Sequence, residues 1–177
     1  MSGYCRNKSI DEALRLFREL CSKGLNPNAV TYNTIIGGLC KVGRTQVARE
    51  LLKKMQASSQ LPNCQTYNIL LDGLCKNGKL EKAMKLFCSL SSKGLQPGVR
   101  TYAMMIDGLL DGGLVTEALK LHREMEEKSC FPDSRTYNLM IRGLIHNNET
   151  SRARQLANEM VERGFSADSS TLVLFVD

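Results

Sequence analysis

Apolar residues along this chain fall on two alternating helical stripes. The first holds Tyr32, Ile35, Ile36, Leu39 and Cys40, at i, i+3, i+4, i+7 and i+8. That spacing is one face of an amphipathic helix. Tyr67, Leu70, Leu71, Leu74 and Cys75 repeat it, as do Tyr102, Met105, Ile106, Leu109 and Leu110, and Tyr137, Met140, Ile141, Leu144 and Ile145. The second stripe holds Ala48, Leu51, Leu52 and Met55. Its copies are Ala13, Leu16, Phe17, Leu20; Ala83, Leu86, Phe87, Leu90; Ala118, Leu121, His122, Met125; and Ala153, Leu156, Ala157, Met160. The alanine that opens every copy predicts close approach of two helices. Between the stripes stand Val42-Gly43, Asn77-Gly78, Gly112-Gly113 and Asn147-Asn148. Gly and Asn suit the left-handed geometry of a helix end. Gly24, Gly94 or Gly164, followed by Pro27, Pro62, Pro97 or Pro132, closes each second helix, because proline cannot continue it.

The stripes recur at one fixed period. Thr31, Thr66, Thr101, Thr136 and Thr171 are each 35 residues apart. Self-similarity of this kind marks a stacked-repeat architecture. Without gaps, residues 1–28 are the rear of one unit, 29–63, 64–98, 99–133 and 134–168 are full units, and 169–177 open another. Two short antiparallel helices cannot bury both faces alone, so the units are expected to stack into an all-α superhelical solenoid with a concave surface. Gly3, Gly38, Gly73, Gly108 and Gly143 sit late in each first helix. Glycine there costs about 1 kcal/mol against alanine. Its recurrence predicts a neighbouring backbone passing close by. The first residue falls inside a first helix, and Leu172, Val173, Leu174, Phe175 and Val176 begin another without completing it. Both ends read as cut, and the apolar end segment predicts self-association.

Composition changes this picture little. The chain has 177 residues and a net charge of +6, a tilt toward an anionic partner. No apolar run approaches the roughly 20 residues of a membrane-spanning helix, and no targeting peptide is visible. The seven cysteines include no CxxC pair. Cys5, Cys40 and Cys75 mark one repeat slot, which reads as a small apolar side chain between helices in a reducing compartment.

Opposite its apolar stripe, each first helix carries a polar ridge. Val30, Asn33, Gly37 and Lys41 lie at i, i+3, i+7 and i+11. The next units give Gln65, Asn68, Asp72 and Lys76; Arg100, Ala103, Asp107 and Asp111; and Arg135, Asn138, Arg142 and His146. Stacking sets these ridges side by side as a groove, with a row of amides and a partial row of cations at Arg6, Lys41 and Lys76. Amides read base edges with paired donor and acceptor, and cations hold phosphate. The competing reading is a solvated helix face.

The 35-residue unit, its T-Y-N opening, the G-L-C-K-x-G string at Gly38–Gly43 and Gly73–Gly78, the E-A-L-x-L string at Glu12–Leu16 and Glu117–Leu121, and the K-G-L-x-P loop at Lys23–Pro27 and Lys93–Pro97 resemble the pentatricopeptide repeat (PPR) family. The pure period is similar to its P class, and the wording is similar to the restorer-of-fertility-like members of plants. The resemblance implies a right-handed solenoid that binds single-stranded RNA with one repeat per base, acting in organellar RNA processing, stability or translation. A mitochondrial or chloroplast location and partner processing enzymes follow from it in the same way. It also implies that the residue after the Tyr and the last residue of the unit choose the base. Those pairs are Asn33 with Asn63, Asn68 with Gly98, Ala103 with Asp133, and Asn138 with Asp168, with Asn28 from the incomplete first unit. By the family's rule Asn after the Tyr favours a pyrimidine, a closing Asp a keto base and a closing Asn an amino base. Gly98 and Ala103 depart from the pattern. The residues two before the Tyr, here Val30, Gln65, Arg100 and Arg135, stack on bases in the family, and only Val30 has the usual aliphatic character. Arg6, Lys41, Lys76 and, in part, His146 take the phosphate-contact slot, which Asp111 replaces. Asn28, Asn63, Asp133 and Asp168 also precede a helix and qualify as N-caps.

Signals of chemistry are few. His122 takes the slot of Phe17 and Phe87 and reads as a packed histidine. No zinc-deaminase signature, glycine-rich phosphate loop, Ser/His/Asp spacing or metal-ligand cluster occurs. The expectation is a non-enzyme without cofactors. The alternative is a protein-binding scaffold of the tetratricopeptide type, whose unit is about 34 residues.

Overall fold

A computed structural model describes residues 10–58 and 60–173. Among the described residues the chain forms ten α-helices and no strand: α1 (Ile10–Ser22), α2 (Ala29–Lys41), α3 (Thr45–Ala57), α4 (Cys64–Lys76), α5 (Leu80–Ser92), α6 (Val99–Asp111), α7 (Val115–Glu127), α8 (Ser134–His146), α9 (Thr150–Glu162) and the short α10 (Ser169–Val173). Gly3, Cys5, Arg6, Leu174, Phe175 and Val176 lie outside the described residues.

Two kinds of local signal start these helices. Asn28, Asn63 and Asp133 cap α2, α4 and α8: each side chain accepts from the amide three residues on, Thr31 at 3.0 Å, Thr66 at 3.0 Å and Thr136 at 2.8 Å. These oxygens satisfy backbone donors that a helix start leaves without partners. Gly98 holds the same place before α6 and has no side chain to cap with. By contrast, α3, α5, α7 and α9 begin without a side-chain cap. Their entry is set by the end of the preceding helix. After α2, Gly43 takes φ +79°, its amide donates to Cys40 O, and the Arg44 amide reaches back to Leu39 O at 2.9 Å. That is a Schellman closure, and Asn148 takes the same left-handed turn at φ 61° where the other copies use glycine.

The chain divides into two compact units, Met1–Gln96 and Pro97–Asp177. In the first, α2 lies along α4, α1 packs on α2, α3 packs on both α2 and α4, and α5 packs on α4. In the second, α6 lies along α8, α7 packs on α6, and α9 and α10 pack on α8. Each unit therefore sets first helices beside first helices, backed by a layer of second helices.

The core fills the space between these layers. Ile35, Ile36, Leu39, Ala48 and Met55 are fully buried in the first unit, and Met105, Ile106, Leu109, Ala118, Met125, Met140 and Ile141 in the second. Burying each large apolar side chain contributes about 1.5–3 kcal/mol. The tyrosines after each threonine are also buried. Three of their hydroxyls find partners on the second helices or at their ends: Tyr32 with Ser58 Oγ at 3.0 Å, Tyr67 accepting from Gln56 at 3.3 Å, and Tyr137 donating to Glu159 at 2.8 Å. His122 is buried against Tyr137, with ring centroids 6.2 Å apart. Its burial lowers its pKa.

At Gly73 and Gly143 the close neighbour differs from the one their recurrence suggests. A Cβ on Gly73 would overlap Cys40 Cβ and Sγ, and one on Gly143 would sit 2.6 Å from Leu110 Cδ1. The close approach is to a side chain of the preceding first helix rather than chiefly to its backbone. Cys40 fills that gap as a buried thiol whose pKa burial pushes up to about 11.

Candidate nucleic-acid interface

The polar ridges of adjacent first helices meet in a cleft within each unit. In the first unit a cleft of ≈ 590 Å³ lies between α2 and α4. Asn33, Gly37, Lys41, Asp72 and Lys76 line it, five of the eight ridge positions on those helices. Asn33 Oδ1 is buried and has no hydrogen-bond partner among the described residues. A buried acceptor left without a donor is costly, and its position on the cleft wall suits a donor from a ligand. Lys41 is exposed at the C-terminal end of α2. Lys76 is exposed too but pairs with Asp72 at 2.9 Å.

In the second unit a cleft of ≈ 400 Å³ lies between α6 and α8, lined among others by Asp107, Asp111, Arg142 and His146. All four are ridge positions. The two carboxylates make this cleft far less cationic than the first. The positions two before each tyrosine, Val30, Gln65, Arg100 and Arg135, are all exposed, Val30 at 69%.

The closing residues Asn28, Asn63 and Asp133 are exposed N-caps, so capping is established for them. In each, Oδ1 is engaged by the helix start, accepting from the amide and hydroxyl of the threonine three residues on. Asp133 is held below the usual carboxylate range: partial burial works against this, but the hydroxyl and amide of Thr136 outweigh it. Asp168 follows suit, accepting from the Thr171 amide at 2.8 Å.

The residues after the tyrosines differ from one another. Asn33 and Asn68 are half-buried, and Ala103 occupies the third copy. Asn138 is only 4% exposed. Its Nδ2 donates to Ser134 O at 2.8 Å, and its Oδ1 accepts from the Asp168 amide at 2.9 Å. The family resemblance assigns Asn138 and Asp168 jointly to base choice; here Asn138 Oδ1 holds the Asp168 backbone amide.

Two features escape sequence reasoning. Asn77 Nδ2 donates to Cys40 O at 2.9 Å and Gly73 O at 2.7 Å, and Asn147 Nδ2 repeats this with Leu110 O and Gly143 O at 2.9 and 2.7 Å. These amides bind one first helix to the next, and Asn77 also lines the cleft between α2 and α4. Arg142 Nη1 donates to Asp168 Oδ2 at 3.0 Å. Among the described residues no group of three or more His, Cys, Asp and Glu is placed to hold a metal ion, and no helix is long and apolar enough to cross a membrane.

Comparison with known proteins gives a uniform result. A model described as PPR repeat family matches residues 1–41, 27–76, 66–111 and 104–146, and one described as PPR repeat matches residues 135–165. A pentatricopeptide repeat-containing protein of Arabidopsis thaliana is 48% identical over 44 residues, 24% of this chain and 8% of that protein. Another from that plant, with mitochondrial in its name, is 37% identical over 41 residues, 23% of this chain and 8% of that one. The solved structure of the pentatricopeptide repeat protein PPR10 from maize aligns with 97% of this chain and 24% of its own, at 27% identity and a TM-score of 0.84. The same maize protein in complex with an 18-nt psaJ RNA element aligns with 95% of this chain and 25% of its own, at 28% identity and a TM-score of 0.82. Matches thus span a tenth or less of the curated relatives and about a quarter of the maize protein.

Proposed function

Because the chain belongs to the pentatricopeptide repeat family, an all-α helical-repeat solenoid fold, we propose that it binds single-stranded RNA along the clefts of its first helices, one 35-residue hairpin per base. The observation that carries this is the cleft between α2 and α4. There Asn33 presents a buried acceptor with no partner among the described residues, and Lys41 and Lys76 flank it. A base edge supplies the missing donor, and a backbone phosphate meets the cations. The RNA complex of the maize relative supports the same reading.

In this reading the units 29–63, 64–98, 99–133 and 134–168 each address one nucleotide, in a right-handed array with partial units at 1–28 and 169–177. Asn33 with Asn63 selects a pyrimidine, leaning to C. Asn68 with Gly98 and Ala103 with Asp133 select weakly. Val30 stacks on a base, and the stems of Gln65, Arg100 and Arg135 provide poorer platforms. The chain performs no reaction; it occupies RNA, shields it or opens a hairpin for a processing enzyme. Its place is a mitochondrion or chloroplast, where P-class relatives of the restorer-of-fertility-like kind are expected to act. The test is selection from a random RNA pool, with affinity for the selected motif followed against salt. A pyrimidine opposite the first full hairpin and a steep salt dependence are expected. Failure to enrich any RNA, with capture of a defined peptide instead, would transfer the protein to the scaffold reading.

A further inference from the structure

We infer that Gly37 seats the ribose of the nucleotide that the first full hairpin reads. This rests on the RNA reading above and gives a role to a residue that the reading leaves idle. Gly37 stands in the middle of α2, where glycine costs about 1 kcal/mol against alanine. Packing does not demand it. A Cβ on Gly73 or Gly143 would collide with a neighbouring side chain. Beyond its own helix, the only described atom within 4 Å of a Cβ on Gly37 is Ile69 Cγ2, at an ordinary 3.5 Å. Backbone geometry does not demand it either, because Gly37 is helical and is not among the glycines at positive φ. What the missing side chain leaves is room on the wall of the cleft between α2 and α4.

Asn33, Gly37 and Lys41 lie at i, i+4 and i+8, on one line down α2, and all three line that cleft. At a helical rise of about 1.5 Å per residue, Asn33 and Lys41 are about 12 Å apart along the axis, with Gly37 midway. One nucleotide, met at its phosphate end by the long arm of a lysine, spans that distance. Its base edge supplies the donor that Asn33 Oδ1 lacks, and its phosphate meets Lys41. Its sugar then falls at Gly37. Ile69 is half-buried in the same cleft and gives the sugar an apolar floor. In the second unit Asp107 takes the place of Gly37 on the cleft wall, and Ala103, the residue after the tyrosine, is not on that wall. A side chain there fills the space that Gly37 leaves open.

The experiment uses the full chain and short RNAs built on the pool-selected motif. Gly37→Ala is expected to keep or raise the denaturant midpoint yet weaken binding about tenfold, the cost of one misplaced methyl in a fitted site. Gly37→Asp, which installs the residue of the next two copies, is expected to weaken binding further. A second set of RNAs carries an abasic nucleotide facing the first full hairpin, which keeps the sugar and phosphate and removes the base. The Gly37→Ala penalty is expected to persist on these. Unchanged affinity in Gly37→Ala, or a penalty that vanishes on the abasic RNAs, overturns the assignment and leaves the RNA reading standing. A denaturant midpoint below that of the parent shows that Gly37 serves packing and overturns it too. A parent that binds none of the RNAs removes both readings.

Discussion

Asn77 Nδ2 lies 2.9 Å from the carbonyl oxygen of Cys40, 37 residues earlier in the chain. The same amide also donates to Gly73 O within its own helix, so both of its hydrogens are used. Asn147 makes the equivalent pair of bonds to Leu110 and Gly143. Removing such an amide takes the second donor from Cys40 O or Leu110 O, which keep the Gly43 and Gly113 amides, and loses hydrogen bonds between neighbouring first helices worth about 0.5–1.5 kcal/mol each. Asn77→Ala and Asn147→Ala are each expected to lower the melting temperature by several degrees in a thermal scan. Val42→Ala, at the matching place in the hairpin before Asn77, is expected to change it much less.

Two glycines on facing helices should respond to alanine with opposite signs. Gly73 meets Cys40 too closely for a Cβ, so Gly73→Ala is expected to destabilise by about 1–3 kcal/mol. Gly37 has only Ile69 Cγ2 near, at 3.5 Å, an ordinary contact. Gly37→Ala is expected to stabilise by up to about 1 kcal/mol through helix propensity. Denaturant midpoints of the two variants measure the contrast directly.

His122 predicts an acid-sensitive fold. Burial holds its folded-state pKa below the usual 6.5, while Glu126 and Glu159 oppose that shift and Arg163 and Arg123 add to it. Below pH 6.5 the unfolded chain therefore takes up a proton that the folded chain resists, and stability declines as pH falls from there toward the folded value. Phe17 and Phe87 fill the matching slots, so His122→Phe is expected to fold. Melting scans at pH 7.5 and 5.5 should show a smaller drop for this variant than for the parent.

Lys41 and Lys76 should contribute unequally to RNA binding. Each phosphate contact to a single strand adds about 0.7 to the slope of log affinity against log salt. Lys41→Ala is expected to reduce that slope by about this amount. Lys76 already pairs with Asp72, so Lys76→Ala should reduce it by less, and Asp72→Asn should raise affinity at low salt.

Asn63→Asp separates capping from reading. Either side chain keeps an Oδ1 for the Thr66 amide, so stability should stay within about 0.5 kcal/mol. The other polar atom of the side chain changes from a donor to an acceptor. Pool selection should then shift the nucleotide facing the first full hairpin from C toward U.

Much of this molecule is legible from local pattern. The stripes around Tyr32, Tyr67, Tyr102 and Tyr137 lie on the buried faces of α2, α4, α6 and α8, because the helical period that orders them acts within a dozen residues. The ridge residues Asn33, Lys41, Asp72 and Lys76 meet in one cleft because stacking carries equal positions side by side. What the sequence hides are contacts chosen by side-chain reach. Asn77 looks like a helix-ending residue, and its bond to Cys40 needs the register of two helices. Arg142 and Asp168 are 26 residues apart, and nothing local says that a long cation turns toward a cap. Asn138 shares its place with Asn33, yet only Asn138 is buried, because in the fourth copy its oxygen holds the amide of Asp168.

The shared Oδ1 of the caps has a genetic consequence. Asn28 and Asn63 on one side, and Asp133 and Asp168 on the other, start their helices with the same atom. Asparagine and aspartate codons differ by one purine transition at the first base. A single A-to-G replacement in the gene therefore turns the second polar atom of such a cap from donor to acceptor while leaving the hairpin able to form, so an array that reads RNA as proposed would pass from one preferred base to another through folded intermediates.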